Sequence, residues 1–430
     1  MKITKLVTPA LFALLVSASP VFAVGSSGFE LATNSARSLG KANAVVADPE
    51  EPSTIVFNPA GLTKLEGNQV TVSSSVIVPI AEFEGKNGAL SEDASVPASI
   101  VPATFVSLST PIKDLKVGFG VNAPFGLQTQ YDSTGNFKYT GYFNEIKTIG
   151  YNASGAYQLA PWLSVGGGWT YLESDLKQVA KLNSTFISMG FFGSLPDIPF
   201  ELDADGHGMG WNAGLLLSPH EQHTLGLFYR SPIQVEYRGT LDIDDIPFPF
   251  TPFVFPGTSF NTSVDTDITF PDSLTLGYRF SATKEWDIEV DVAWTNWSVF
   301  DRIDVAFGTS NLILDALEPM DEDFNDTISI YVGTSYDFNP TWSIMAGYFY
   351  FSMAADEDTY SNVIPDGDRH GATVGFQYNL KHFSIDVSYL AEFISSGEID
   401  NSVGAANGAV VDGDYDSFVQ VISIGVTYKF

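Results

Sequence analysis

The sequence reads as all-β, a 14-stranded antiparallel transmembrane β-barrel with an N-terminal hatch plugging its lumen. Three observations carry that reading. Apolar and polar residues alternate with period two: Ile422, Ile424, Val426, Tyr428 and Phe430 fall on one face, Val421, Ser423, Gly425, Thr427 and Lys429 on the other. The links between such runs alternate between short and long, the habit of bacterial outer-membrane barrels. The 430-residue chain is 44% apolar and 13% aromatic. Yet no stretch after residue 23 reaches the roughly 18–20 apolar residues of a membrane helix, and a chain without spanning helices crosses lipid only as a closed barrel.

Taken in order, the chain opens with Lys2 and Lys5, an apolar run from Leu6 to Val16, and Val21-Phe22-Ala23, which fits a cleavage site. Residues 1–23 are thus a secretory signal peptide, and the mature chain begins near Val24. The next segment, 24–68, has no period, but Phe29, Leu31, Leu39, Val45, Val46, Ile55, Val56, Phe57 and Leu62 make it too apolar for a linker. About eight strands already enclose a space that side chains fill, so 14 leave room for more. Segment 24–68 is the expected hatch, with Asn58-Pro59 forcing a reversal beside the wall.

The barrel occupies 69–430. Its strands are expected near 69–83, 98–110, 116–129, 144–159, 163–177, 208–219, 224–238, 269–280, 286–302, 327–337, 341–352, 371–379, 383–393 and 417–430. Short turns such as Ala160-Pro161 and Asn339-Pro340 alternate with long loops at 84–97, 130–143, 178–207, 239–268, 303–326, 353–370 and 394–416. Trp162, Trp286, Trp342 and Phe430 sit at strand ends, as an interfacial aromatic girdle requires. The polar faces then point inward. That places Arg279 and Asp287, across the hairpin 280–286, either as a cross-strand ion pair or as two solvated charges in a wet lumen.

Composition excludes several function classes. A net charge of −31 does not suit nucleic acid, whose phosphates require Lys and Arg. The chain has no cysteine, so it forms no disulfide and carries no thiolate chemistry. The histidines (His207, His220, His223, His370 and His382) stand in no metal-binding pattern, and no Gly-x-Ser-x-Gly elbow occurs. No catalytic residue, metal site or cofactor is expected. The acidic runs Asp356-Glu357-Asp358 and Asp366/Asp368 fit loose cation binding or plain solvation equally.

Two features point to a hydrophobic cargo. Within 116–129, Asn122, Ala123, Pro124, Phe125 and Gly126 contradict a regular strand, because proline donates no ladder hydrogen bond and glycine marks bulges. This is either a lateral opening facing the Asn58-Pro59-Ala60 turn or an ordinary bulge. Two outer loops are greasy: Phe186, Ile187, Met189, Phe191, Phe192 and Leu195 in one, Phe248, Phe250, Phe253 and Phe255 in the other. They form either an apolar capture groove, open to the medium and to lipopolysaccharide, or a lid of loops packed on each other.

The segments "FNPAGL" (57–62), "APFGL" (123–127), "FPDSLTLGY" (270–278), "WTNWSVF" (294–300) and "PDGDR" (365–369), in this order, resemble the FadL family of outer-membrane transporters for long-chain fatty acids and other hydrophobic compounds. The resemblance covers essentially the whole mature chain. It implies a hatch in which Phe57, Asn58, Pro59 and Ala60 lie beside a kinked third strand, and a hole in the wall at that kink. It implies a low-affinity groove on the two greasy loops, and a Gly28-Phe29 element reaching a deeper pocket behind Val24 to Ser27. Basic residues hold the acyl carboxylate in the family, and Arg369, at the outer end of a strand, is the candidate here. The implied protein is a monomer in the outer membrane of a Gram-negative bacterium, taking up a fatty acid passively, with an aromatic hydrocarbon as the alternative cargo. A barrel enzyme of lipase type, a general porin and a surface adhesin are the competing classes.

Overall fold

The computed structural model describes residues 27–188, 190–311, 313–316, 320–405 and 408–430. The expected leader at 1–23 lies outside the described residues, as does Met189.

Fourteen wall strands close one antiparallel barrel, three of them in two segments. They are β1 (Gln69–Gly85), β2 (Ser99–Ser109), β3 (Leu115–Asn122 and Gly126–Gln130), β4 (Phe143–Ala160) and β5 (Leu163–Leu182). Then come β6 (Ile198–His220), β7 (His223–Arg230 and Ile233–Ile243), β8 (Phe260–Phe270 and Ser273–Ser281) and β9 (Trp286–Thr295). The last are β10 (Thr327–Asn339), β11 (Trp342–Phe351), β12 (Asp368–Asn379), β13 (Phe383–Ile399) and β14 (Gly413–Lys429). β1 pairs with β14 from Gln69↔Lys429 to Gly85↔Gly413, which closes the cylinder and removes its edges. The Phe430 amide donates to the Asn68 carbonyl at 2.9 Å, tying the chain's end to the start of the wall.

Around the middle of the wall, apolar side chains such as Val76, Ile100, Leu276, Ile330, Ile422 and Ile424 are exposed, while the opposite face buries Thr71, Ser75, Ser423 and Thr427. Thr71 and Thr427 hydroxyls meet at 2.7 Å across the seam. This inside-out distribution needs lipid around it, since water would not tolerate so continuous an apolar belt.

Several strands run further than the alternation predicts. β6 begins at Ile198, not near 208, and β5 ends at Leu182, so the loop expected at 178–207 shrinks to 183–197. Above the belt the chemistry of the two faces inverts. On β6 the outward positions change from Trp211 and Met209 to Asp205, Asp203 and Glu201, and the inward ones from Asn212 to Ala204, Leu202 and Ile198. The outer end of the barrel stands in water, so it is built like a soluble protein, charged outside and apolar within.

β7 and β8 differ in another way. They were expected as unbroken runs at 224–238 and 269–280, but each breaks at a proline dipeptide, Ser231-Pro232 and Pro271-Asp272. Leu225 and Leu227 face outward before the first break, whereas Ile233, Val235 and Tyr237 are buried after it. β9 stops at Thr295, short of the expected 302, because Trp297 turns inward in a single 3₁₀ turn, Trp297–Val299, and is fully buried.

Candidate functional site

Residues 27–68 lie against the inward faces of the wall, and most of them are buried. Two short helices, α1 (Ala36–Gly40) and α2 (Thr54–Phe57), and a 3₁₀ turn, Pro59–Lys64, give the segment its shape. The Ser35 hydroxyl caps α1 by accepting from the Ser38 amide at 3.0 Å. Charged groups bind the segment to the wall. Asp291 accepts from the Val45 and Val46 amides at 3.0 and 3.1 Å, and Glu289 from the Ala47 amide at 2.6 Å. Lys41 reaches Asp48 at 2.5 Å, and Asp48 accepts a second contact from Arg279 Nη1 at 3.0 Å. Arg37 pairs with Glu50 and lies 3.6 Å from Asp386.

Asn58 is fully buried. Its Nδ2 donates to the Val46 carbonyl at 2.8 Å and to the Leu215 carbonyl of β6 at 3.1 Å, and its Oδ1 accepts from the Ala60 amide at 3.2 Å. Proline at the next position needs no donor there, so Asn58-Pro59 opens the 3₁₀ turn with every local polar group satisfied. The wall accommodates this by Gly214, where a Cβ would stand 2.1 Å from Asn58 Oδ1. Replacing Asn58 with leucine strands two buried carbonyls and an amide, at roughly 1–3 kcal/mol for each group left unpaired. The expected outcome is hydrogen exchange over residues 40–64 faster by about tenfold or more, read by mass spectrometry; unchanged exchange there would remove Asn58 as the keystone of the segment.

The third strand departs from its neighbours at Ala123-Pro124-Phe125. β2 pairs with β3 from Ser109↔Lys116 to Thr104↔Val121 and no further. The upper segment of β3, Gly126–Gln130, forms a ladder with β4 and none with β2, and at its outer end the Gln130 carbonyl accepts from the Ser95 amide at 2.7 Å. Between Asn122↔Gly150 and Gly126↔Lys147, β3 takes four steps where β4 takes three. The vacated edge is met from inside. The Leu31 amide donates to the Pro124 carbonyl and the Gly126 amide to the Phe29 carbonyl, both at 2.9 Å, with Glu30 bridged to Phe125. An arm of the N-terminal segment, 27–31, thus adds a short strand to the broken wall, satisfying groups that lipid could not. Gly28 has a φ of +58°, and a Cβ there would press within 2.6 Å of Trp297, so only glycine fits the arm's bend.

A cavity opens beside this junction, lined by Glu30, Pro124, Phe125, Phe228, Arg230 and Ile233 among others. Next to it lies a closed aromatic cluster: Phe29 sits 4.8 Å from Trp297 and 5.2 Å from Phe300, and Phe125 4.6 Å from Phe270, ring centre to ring centre. Trp297 Nε1 donates to Ser27 Oγ at 3.1 Å, its one polar need met. Toward the outside a larger cavity of about 640 Å³ has a mixed lining, apolar at Leu182, Leu202, Tyr237 and Ile303 and charged at Glu236, Arg238, Asp265, Asp267 and Asp304. A smaller apolar recess, reaching Leu127, Leu176 and Ile364, shares Leu202 and Ile303 with it. Just past Met320, which lines both, Glu322 is buried, and burial chiefly pushes its carboxyl up to about 8.

The expected site residues distribute as follows. Asn122, Pro124 and Phe125 line the inner cavity together with Phe57, and Ala123 and Gly126 are buried at the junction. The greasy loops divide: Phe250 and Phe255 are buried, Ile187 and Leu195 are half-buried, and Phe191 (82%), Phe192 and Phe248 (71%) are exposed. The Phe186 and Phe253 side chains are outside the described set. Arg279 stands directly opposite Glu289, not Asp287, because the intervening turn sets the register at Ser281↔Asp287. It reaches Asp287 diagonally, Nε to Oδ1 at 3.1 Å. Arg369 is 1% exposed, and its Nη2 donates to the Gly28 carbonyl at 2.6 Å and to Asp366 at 2.7 Å. Arg230, Glu30 and Trp297 were not singled out in the sequence; the Pro that follows Arg230 by two positions was the available sign.

Comparison with known proteins supports this architecture. The chain is 27% identical over 392 residues to a long-chain fatty acid transport protein of Escherichia coli O6:H1, covering 84% of this chain and 86% of that one. It is 24% identical to outer membrane protein P1 of Haemophilus influenzae, covering 87% and 88%. Among solved structures, a Pseudomonas aeruginosa FadL homologue superposes with a TM-score of 0.82 at 19% identity, covering 94% of this chain and all of that one. The Pseudomonas putida toluene transporter TodX gives 0.69 at 18%, covering 94% and 99%. The model of the family described as outer membrane protein transport protein (OMPP1/FadL/TodX) matches residues 16–430, and the chain belongs to that family of outer-membrane transport barrels.

Proposed function

We propose that this barrel takes up long-chain fatty acids by capture at the outer loops, transfer through the inner cavities and sideways release between β2 and β3. The observation that carries the reading is the ladder that ends at Thr104↔Val121, with the 27–31 arm in place of the missing strand partner. Exposed Phe191, Phe192 and Phe248 support first contact, and the 640 Å³ cavity beneath supports a waiting site. The burial of most of residues 27–68 against the inward faces of the wall supports the segment 24–68 as a hatch.

Energetics favour the lateral exit. Hydrating an alkyl tail costs about 0.8 kcal/mol per CH₂, roughly 12 kcal/mol for a C16 chain. A route that passes tail-first into lipid avoids that cost, whereas an open periplasmic pore does not.

The test is uptake of radiolabelled oleate and toluene by cells that have this chain as their sole transporter of the class, beside planar-bilayer recordings of the purified protein. Oleate uptake well above the empty-vector rate, with almost no steady ion conductance, is expected. Steady conductance without oleate uptake would make the protein a porin; toluene uptake without oleate uptake would move the cargo to monoaromatics.

A further inference from the structure

We infer that Arg230 is a carboxylate-binding station at the side exit, held in reserve by Glu30 and vacated when a ligand's own carboxylate takes its place. This rests on the transport reading above and adds to it the chemistry of the cargo's head group. Arg230 is the last residue before the β7 break and lines the inner cavity. Its Nη1 donates to Glu30 Oε1 at 2.6 Å. Its Nε and Nη2 are also buried, yet meet no acceptor among the described residues. A guanidinium binds a carboxylate best as a two-pronged fork, and here one prong is used while the rest of the fork is free inside a cavity. Leaving buried donors unmatched is unfavourable, so the site is poised for a second oxygen anion.

The surroundings suit an acid with an apolar tail. The guanidinium carbon stands 5.0 Å from the centre of the Phe125 ring, and Phe125 belongs to the aromatic cluster with Phe270. A head group on Arg230 would therefore lie beside greasy walls. The location also gives the contact a consequence. Glu30 is the middle residue of the arm that pairs with Pro124 to Gly126. A ligand carboxylate that competes for Arg230 loosens the arm's only ion pair to β7 among the described residues, so arrival of an acid and release of the exit are linked. A neutral hydrocarbon has no such effect.

The experiment measures binding of palmitate and of hexadecanol to the purified full-length barrel and to three variants, Arg230→Gln, Arg230→Lys and Glu30→Gln. Wild type should bind palmitate about tenfold or more tighter than hexadecanol. Arg230→Gln should erase that preference, with unchanged heat-modifiable electrophoretic mobility reporting an intact fold. Arg230→Lys, which keeps the charge without the fork, should restore part of it. Glu30→Gln should tighten palmitate several-fold by removing the internal competitor; an ion pair that merely braces the structure predicts the opposite. A preference that survives Arg230→Gln, or palmitate binding weakened by Glu30→Gln, would overturn the assignment. Equal binding of both ligands to wild type sinks this assignment alone, and binding of neither sinks the transport reading with it.

Discussion

Deleting Pro124 should close the barrel wall and cut fatty-acid uptake by about tenfold or more, with surface abundance and heat-modifiable electrophoretic mobility unchanged. The expectation follows from counting. β3 has one residue more than β4 between their last lower pair, Asn122↔Gly150, and their first upper pair, Gly126↔Lys147. That surplus is a bulge, and it turns the upper segment of β3 away from β2. Removing one residue lets β3 run straight, and the β2–β3 ladder can extend past Thr104 along Val101 to Ala103, which pair only on their β1 side, although Pro102 has no amide to donate. Each unpaired backbone group at lipid depth costs on the order of several kcal/mol, so the repaired ladder is strongly favoured and the arm at 29–31 loses its seat. Changing Pro124 and Gly126 to valine is a weaker test, because the surplus residue stays. Uptake at the wild-type rate in the deletion variant, with the barrel folded, would mean that cargo does not leave through this gap.

The wall was legible where lipid imposes its rule and lost where it does not. Ile422, Ile424 and Val426 declare their face because only the membrane belt asks for apolar residues outside. Asp203, Asp205 and Leu202 on β6 follow the opposite rule above the belt, so the same alternation signals an inverted wall, and the strand reads as loop. β7 deceives differently. Leu225, Leu227, Ile233 and Val235 are all odd-numbered and look like one face, but the Ser231-Pro232 break slips the register by one and turns the later ones inward. Proline was the visible mark there, as it was at Pro124, where the contradiction with a regular strand was readable. The partnerships of Asn58 with Leu215 and of Arg230 with Glu30 join residues 157 and 200 positions apart, and no local pattern encodes them. Arg279 shows the intermediate case: its face was readable, its register was not, because a turn at 282–285 rather than the charges decides which residue stands opposite.

Two engineered disulfides should separate a moving arm from a fixed hatch. The first joins the arm to the kink through Glu30→Cys and Phe125→Cys. These residues are bridged between the flanking hydrogen bonds of Leu31 and Gly126, so they form a non-hydrogen-bonded pair with Cα atoms about 4.5 Å apart, inside disulfide reach. The second joins α1 to the wall through Ala36→Cys and Gly425→Cys, where a Cβ on residue 425 would stand 3.3 Å from that of Ala36, near the usual separation of about 3.8 Å. The chain has no cysteine of its own, so oxidation makes one bond in each variant and reductant breaks it. The charged network of Lys41, Asp48, Arg279, Glu289 and Asp291 anchors the body of the segment to β8 and β9, whereas the arm is held by two backbone hydrogen bonds, Arg369, the Glu30 contact, the Ser27 hydroxyl against Trp297 and Thr327, and the buried Phe29 ring. Among the described residues the arm has one ion pair to the wall where the body has several, so the arm is the piece expected to open first. Oxidising the first variant should lower uptake about tenfold or more against the same protein reduced, and oxidising the second should change it less than about twofold. Loss of uptake in both would mean that the whole hatch travels with the cargo; loss in neither would place the exit somewhere other than the arm.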